Sequence, residues 1–212
     1  QLLFVSVLRK YKKTGVLIDA IPELLKKYPN AQLQIVGIGE DYQNMKNKIK
    51  EMQLEDYVKM LGKISNEELK LRYSSCDLYI SASTHEHCPV PPFEAMGCGK
   101  PLVLSDLEGH NEILNLSKAG LKFNLNDKND ICKKIEEVYE NRITFGANAL
   151  DCAKKFDWSN ICKQVAQVYH DAIYTADSFA DISKIKSVAQ KGKKAVVVGA
   201  GFSGLQIASS LA

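Results

Sequence analysis

The sequence predicts an α/β fold, a doubly wound parallel Rossmann-like sheet, and three observations support this fold class. Short apolar, β-branched runs alternate with amphipathic helical stretches, as in a parallel sheet covered by helices on both faces. Hydrophobic residues make up 45% of the 212 residues and charged residues 25%, which suits a globular protein with a sizeable core. Right-handed crossovers between parallel strands then make the doubly wound arrangement the natural solution.

Six strands and five intervening helices make up the predicted sheet layer. The strands are expected at 2–8, 31–37, 57–61, 77–83, 101–105 and 120–124, and the helices at 15–28, 41–53, 66–74, 91–98 and 108–114. After Asn124 the chain contains only helical patterns, at about 127–141, 143–155 and 158–174. We therefore expect one domain over residues 1–174, closed by C-terminal helices. Because the chain opens directly on a strand, an upstream domain is expected as well.

Composition and charge narrow the function class. The net charge is only +3, and basic residues are mixed with acidic ones, so no nucleic-acid footprint is predicted. Six cysteines without C-x-x-C spacing predict reduced thiols in a cytoplasmic protein, and no apolar run reaches membrane-span length. One local basic cluster, "RKYKK" at Arg9–Lys13, suits a small anionic ligand. A solvated basic loop is the alternative.

The stretch "STHEHCPVPPFEAMGCGKP" at Ser83–Pro101 holds two glutamates, Glu86 and Glu94, eight positions apart. A buried strand is expected to end at Ser83, and a proline at 91 or 92 to open a helix whose first turn carries Glu94. Ligands of open α/β sheets bind in the crevice at the carboxyl ends of the strands, and helix N-termini there attract phosphates. The alternative is that Glu94 complements the helix dipole while Glu86 is solvated.

A metal site is another interpretation of the same stretch. His85 and His87 would share one side of an extended segment, with Cys88 beside them. Two such ligands need a third from elsewhere, and nothing supplies it at a recognisable spacing. No Asp-x-Asp pair offers a magnesium–diphosphate site either, so no metal is predicted.

The segment "ISASTHEHCPVPPFEAMGCGKPLVLSDLEGHNEI" resembles the E-x7-E signature of family 4 retaining glycosyltransferases (glycosyl transferases group 1). The stretches "LQIVGIGE", "VKMLGKISNEELKLRYSSCDLYISAS" and "FDWSNICKQVAQVYHDAI" agree with that family in order and spacing. The resemblance extends over about Leu2–Ile173. It implies the donor-binding, C-terminal half of a GT-B enzyme that transfers a hexosyl group from a UDP-, GDP- or ADP-type sugar, without a metal. The acceptor would be a glycan or lipid, and peripheral membrane association is a further expectation for the parent protein.

The resemblance also assigns roles to individual residues. Glu94 would bind the ribose hydroxyl groups of the donor nucleotide, and Glu86 would orient the transferred sugar. Glu112 stands where the family often has a glutamate, although a helix cap explains it equally well. Further donor contacts are implied for Gly37 and Gly39, for Gly62, Lys63 and Ile64 around the base, and for the amides of Cys88, Val90 and Phe93 at the diphosphate.

The basic pair that grips the diphosphate departs from the family pattern. Alignment places Lys12 at the family's lysine but puts Val7, an apolar residue, at its arginine. Arg9, two residues later, would lie on the same face if the strand continued, and we expect it to replace that cation. Pro89 and Pro92 have no N–H to donate, so donor affinity or acceptor geometry is expected to differ from the family norm.

The last stretch, "VVVGAGFSGLQIA", resembles the FAD-binding start of flavoprotein oxidoreductases. Gly199, Gly201 and Gly204 follow a β-branched run and open a helical pattern. The resemblance implies a linker at 175–193 and the truncated start of an FAD/NAD-binding domain at 194–212. We therefore expect a fusion protein in which only the full-length parent holds FAD.

Three functions remain open at this point. The first is glycosyl transfer, for which the 212-residue chain alone is expected to be inactive because the acceptor-binding half is absent. The second is a degenerate glycosyltransferase-like module fused to an FAD-dependent oxidoreductase whose redox chemistry is the main activity. The third is a sugar-nucleotide epimerase or phosphorylase, which would need a catalytic histidine or a pyridoxal lysine that the sequence does not reveal.

Overall fold

All six predicted strands are present in the computed structural model, which describes residues 1–172. They are β1 (Leu2–Val5), β2 (Leu33–Val36), β3 (Val58–Gly62), β4 (Leu78–Ser81), β5 (Leu102–Ser105) and β6 (Gly120–Phe123). Every pairing is parallel, and the strand order is β3-β2-β1-β4-β5-β6. This order reverses direction between β1 and β4, so the doubly wound prediction is confirmed.

The helices also lie close to their predicted positions. They are α1 (Thr14–Lys27), α2 (Tyr42–Glu51), α3 (Asn66–Ser75), α4 (Val90–Gly97), α5 (Glu108–Ser117), α6 (Lys128–Glu140), α7 (Arg142–Lys155) and α8 (Trp158–Ala172), with a 3-10 helix at Lys10–Lys12. Residues 1–157 form one compact unit. Helix α8 belongs to a second unit. No helix within residues 1–172 is long and apolar enough to cross a membrane.

Alternating strand residues supply two separate cores. Leu2 and Phe4 of β1 join one cluster of buried side chains, whereas Leu3 between them joins the other. In a strand successive side chains point to opposite faces, so the sheet is buried on both sides. Helices α1, α2 and α6 contribute to the first core, and α3, α4, α5 and α7 to the second. This three-layer packing fixes the strand ends that carry the polar residues.

Strand β1 is shorter than predicted. It ends at Val5, not at residue 8, although the segment that follows stays hydrogen-bonded to the end of β2 and to the turn after it. The N–H groups of Ser6 and Leu8 donate to the carbonyls of Val36 and Ile38, each at 3.0 Å. The chain then turns into the 3-10 helix. The strand does not continue to Arg9, so the condition under which Arg9 would share a strand face with Val7 is not met.

The linker and the flavoprotein-like tail predicted from the sequence lie outside the described residues. This applies to the range 175–193 and to Gly199, Gly201 and Gly204. The predicted domain limits and the FAD expectation stay predictions.

Candidate functional site

A cavity of about 390 Å³ opens at the carboxyl ends of β1 and β4, where the strand order reverses. This is the crevice in which ligands of open α/β sheets bind. One wall comes from the segment after β1 and the other from the loop between β4 and α4. The lining residues are Val5, Ser6, Val7, Arg9, Tyr11, Lys12, Tyr79, Ser81, Glu86, Cys88, Pro89, Val90 and Pro91.

An ion pair between Lys12 and Glu86 joins the two walls. The side chains are only 12% and 14% exposed, so water screens their charges less than those of a surface pair. The loops that carry them are fastened together nearby, because the backbone N–H and the hydroxyl of Thr84 both donate to the Tyr11 carbonyl, at 2.9 and 3.1 Å. Two residues that are 74 positions apart in the chain are thus brought into direct contact.

Arg9 lies in the same cavity lining, although it does not reach it from a strand. It is the extended N-cap residue of the 3-10 helix that carries Lys12. No ion-pair partner of Arg9 exists among residues 1–172. The cavity lining therefore contains two cations and one carboxylate.

Glu94 occupies a different position from the one predicted. Helix α4 begins at Val90, with Pro89 as its N-cap, so Glu94 is the fifth helical residue and lies beyond the first turn. The helix dipole acts mainly within the first turn, so the alternative role for Glu94 as a dipole complement is not supported. Instead, the Tyr73 hydroxyl donates a hydrogen bond of 2.8 Å to Glu94 Oε2.

The start of α4 offers few backbone donors to a ligand. Pro89, Pro91 and Pro92 have no N–H, and the N–H of the fourth residue, Phe93, is the first that an α-helix uses internally. The Phe93 ring packs edge-on against Phe156, with 4.9 Å between centroids. Of the three amides expected at the diphosphate, those of Cys88 and Val90 belong to cavity-lining residues and that of Phe93 does not.

Sequence reasoning missed His110, which is fully buried behind the Glu86 loop. Its Nδ1 lies 3.1 Å from both the carbonyl and the hydroxyl oxygen of Ser105, and within the described residues its Nε2 has no hydrogen-bond partner. Burial lowers the pKa of His110 below its ordinary value of 6.5, the hydrogen bond with the Ser105 backbone and the charge of Glu86 partly offset this, and the charge of Lys12 adds to the lowering. The imidazole is therefore neutral at pH 7. A histidine next to a helix N-terminus gave no sequence signal for burial.

Gly109 explains how closely α5 approaches the site. A Cβ atom at this position would lie 2.5 Å from the Glu86 carbonyl oxygen and 3.0 Å from that of His87. Only glycine permits this contact between the start of α5 and the backbone of the Glu86 loop. The neighbouring Glu112, although on the same helix, is exposed.

A family model described as Glycosyl transferases group 1 matches residues 1–155. The chain belongs to this family. The match covers the whole sheet, the cavity and helices α1 to α7.

The curated relatives of this chain are longer than the chain itself. Alpha-monoglucosyldiacylglycerol synthase of Acholeplasma laidlawii is 27% identical over 144 residues, which is 68% of this chain and 36% of the relative. D-inositol 3-phosphate glycosyltransferase of Corynebacterium aurimucosum is 27% identical over 165 residues, 74% of this chain and 39% of the relative. The chain thus spans less than half the length of these relatives.

Solved structures show the same architecture. The pneumococcal O-GlcNAc transferase GtfA, in complex with UDP and GlcNAc, has a TM-score of 0.72 at 26% identity over 80% of this chain and 35% of its own. Anabaena Alr3699/HepE in complex with UDP has a TM-score of 0.71 at 26% identity over 80% of this chain and 48% of its own. The α/β sheet of this chain is therefore the Rossmann-like half of the GT-B fold.

The glycines after β2 serve protein contacts in this family member. A Cβ atom on Gly37 would lie 1.8 Å from the Ser6 carbonyl oxygen, and one on Gly39 would lie 2.2 Å from the Leu8 carbonyl oxygen. Their glycine identity is thus explained by the close approach of the turn to the segment after β1. Neither residue lines the cavity, and their predicted contact with the nucleotide sugar stays a prediction.

The predicted base-binding residues lie beyond the cavity lining as well. Gly62 ends β3 with a φ of +66°, a left-handed conformation that favours glycine. Lys63 is exposed, and Ile64 packs against the core on the α4 side of the sheet. Their assignment to the base is untested by this geometry.

Of the two histidines next to Glu86, His85 lies against the ring of Tyr11. His85 Nδ1 lies 2.9 Å from the Thr84 hydroxyl, and its ring stands edge-on to Tyr11 at 6.1 Å. His87 is exposed. Over residues 1–172, no group of three or more His, Cys, Asp or Glu side chains is placed to hold a metal ion.

Proposed function

We propose that this chain is the donor-binding half of a retaining glycosyltransferase, which transfers a hexosyl group from a nucleotide-diphospho-sugar to a glycan or lipid acceptor. The observation that carries the proposal is the set of Lys12, Glu86 and Arg9, gathered in one cavity at the point where the strand order reverses. Membership of the glycosyl transferases group 1 family supports the reaction class.

The cation excess of the cavity fits a diphosphate. A nucleotide diphosphate bound there would meet the ammonium of Lys12 and the guanidinium of Arg9, with the Val90 N–H at the start of α4 as a backbone donor. These groups would also stabilise the negative charge that develops on the leaving diphosphate in the transition state. Fixed charges in a partly enclosed site contribute more to this than charges in open water.

The Lys12–Glu86 pair offers the nucleotide sugar two partners at once, Lys12 for the diphosphate and Glu86 for the sugar. When a bound diphosphate forms an ion pair with Lys12, the Glu86 carboxylate becomes free to accept hydrogen bonds from hydroxyl groups of the transferred sugar. In a front-face retaining reaction, the bond from the anomeric carbon to the diphosphate oxygen breaks while the acceptor oxygen bonds on the same face. The acceptor proton passes to the leaving diphosphate, so Glu86 orients the sugar and is not the base.

The first candidate for the nucleotide is UDP. Two structural neighbours of the same half-fold, at 26% identity, were solved with UDP bound. The name of one relative, a monoglucosyldiacylglycerol synthase, supports the lipid as acceptor.

Titration calorimetry with UDP, GDP, ADP and UMP tests the proposal on the 212-residue chain. We expect one diphosphate, first of all UDP, to bind at a single site in the micromolar range. UMP should bind about tenfold more weakly, because it lacks one charged phosphate group that two cations would contact. A folded sample that releases no heat with any of the three diphosphates would contradict the proposal.

A further inference from the structure

Tyr73, a buried residue outside the cavity lining, is bonded to one of the two signature glutamates. It lies on α3 with only 3% of its surface exposed, and its hydroxyl donates to Glu94 Oε2 on α4 at 2.8 Å. In the described part of the chain, Glu94 Oε1 makes no hydrogen bond. The carboxylate is therefore held by one oxygen and open at the other.

The phenol that holds Glu94 is itself fixed by its surroundings. The Tyr73 ring lies 6.3 Å from the ring of Tyr79, which lines the cavity, and it belongs to the buried core that includes Ala95 and Met96 of α4. The Cys76 thiol donates to the Tyr73 carbonyl at 3.3 Å and anchors the end of α3. The position of the hydroxyl is thus set by the packing of α3 against α4.

The hydroxyl can act only as a donor toward the carboxylate. Burial raises the pKa of Tyr73 well above its ordinary value, and the nearby Tyr79 and Glu94 add to this effect. The phenol therefore stays protonated over the whole working pH range. One lone pair of Glu94 Oε2 is occupied, and the remaining lone pairs of both oxygens stay available to a pair of O–H donors.

We propose that Tyr73 is a positioning residue that holds the Glu94 carboxylate in the orientation that accepts the ribose hydroxyl groups of the donor nucleotide. This inference rests on the proposed function. A free glutamate side chain loses rotamer freedom when it binds a ligand, whereas a carboxylate already fixed by a buried phenol has lost part of it beforehand. Tyr73 would then increase nucleotide affinity without touching the nucleotide.

The test compares UDP with 2′-deoxy-UDP in the wild-type chain and in Tyr73→Phe. Phenylalanine keeps the ring that packs against Tyr79 and removes only the donor. We expect UDP to bind about three- to tenfold more weakly to the variant, and 2′-deoxy-UDP to be affected less, so that the preference for the ribose shrinks. Tyr139→Phe is the matched control, because Tyr139 packs against Tyr28 at the opposite edge of the sheet.

A double-mutant cycle with Glu94→Ala separates positioning from general loss of packing. If Tyr73 acts through Glu94, Tyr73→Phe should change UDP affinity by less than about twofold in the Glu94→Ala background. A full additional three- to tenfold loss there would overturn the inference, as would an unchanged ribose preference in Tyr73→Phe. If the wild-type chain binds no nucleotide, the proposed function fails first and this inference falls with it.

Discussion

Two clefts open at opposite edges of the same sheet, and they look alike at first. The cleft at the carboxyl ends of β1 and β4 has a volume of about 390 Å³, and the one at their amino ends about 290 Å³. Each contains a lysine next to a tyrosine ring: Lys12 lies 5.1 Å from the ring of Tyr11, and Lys27 lies 5.5 Å from that of Tyr28. Volume and residue types alone would make both of them anion sites.

Charge balance separates the two clefts. Lys27 is half exposed and pairs with Glu136 at 2.9 Å and Glu140 at 3.1 Å, and these hydrogen bonds raise its pKa. Its charge is thus more than matched by carboxylates. Lys12 is nearly buried and has one carboxylate partner, and Arg9 adds a second cation to its cleft. An anion gains from a cleft only where cations remain in excess, so only the carboxyl-edge cleft is predicted to bind a diphosphate.

The largest expected effect comes from replacing Lys12 by alanine, and the same replacement at Lys27 is the comparison. Lys12→Ala should weaken UDP binding by about 30-fold or more, since it removes a cation and leaves Glu86 uncompensated beside the diphosphate. This corresponds to about 2 kcal/mol, the low end for truncating one member of a buried charge pair. Lys27→Ala should leave UDP affinity unchanged. Calorimetry of both variants checks this, and equal effects would remove the distinction between the clefts.

A backbone substitution sharpens the comparison without touching any charge. Gly109→Ala should destabilise the chain by about 1–3 kcal/mol and weaken UDP binding roughly tenfold, because the new methyl group pushes on the Glu86 carbonyl. Gly97→Ala is the matched control, since a Cβ atom on Gly97 meets nothing within 4 Å. That control should gain about 0.5–1 kcal/mol as a helical glycine replaced by alanine. Urea unfolding and calorimetry measure both quantities.

The third prediction concerns the exposed cation of the carboxyl-edge cleft. Arg9→Gln should weaken UDP binding about three- to tenfold at low salt, and the difference from wild type should shrink as ionic strength rises, because Arg9 is exposed and salt screens its charge. Lys10→Gln, in the same 3-10 helix but outside the cavity lining, is the control. If the two variants behave alike, Arg9 does not replace the family's arginine.

Much of the fold could be predicted from the sequence because the strands are short segments rich in apolar residues that alternate with helical stretches. The positions of Glu86 and Lys12 could be predicted in part for the same reason, because each residue follows a strand and the topology makes these two strands neighbours. The residue at which α4 begins was harder to predict. Val90, not Pro91 or Pro92, begins α4, so Glu94 lies beyond the first turn.

Contacts between side chains on different helices and loops could not be predicted from the sequence. The partner of Glu94 is 21 positions away, on a different helix, and depends on how α3 packs against α4. Burial of His110 likewise depends on Gly109 seating α5 against the Glu86 backbone. The close approach of Gly37 to the Ser6 carbonyl is a contact of the same kind, which joins two turns and has no signature in the sequence.

The smallest expected effect is a pH dependence that arises at the carboxyl edge. Burial lowers the pKa of His110, so below about pH 6.5 this histidine binds a proton in the unfolded chain but stays neutral in the folded one. Stability should therefore fall as the pH drops below 6.5 and level off below the folded-state pKa. His110→Gln should make this decline shallower in urea unfolding between pH 7 and 5. An identical decline in both proteins would contradict the prediction.

Backbone amide spectra of the ¹⁵N-labelled chain, recorded during a UDP titration, test the central claim most directly. The claim is that the carboxyl-edge cleft, and not its amino-edge counterpart, receives the diphosphate. We predict saturable shifts at Val90, Cys88 and Lys12, with no change at Asn30 and Ala31 of the amino-edge cleft. Shifts at Asn30 and Ala31, or an unchanged Val90 amide at saturating UDP, would contradict the account.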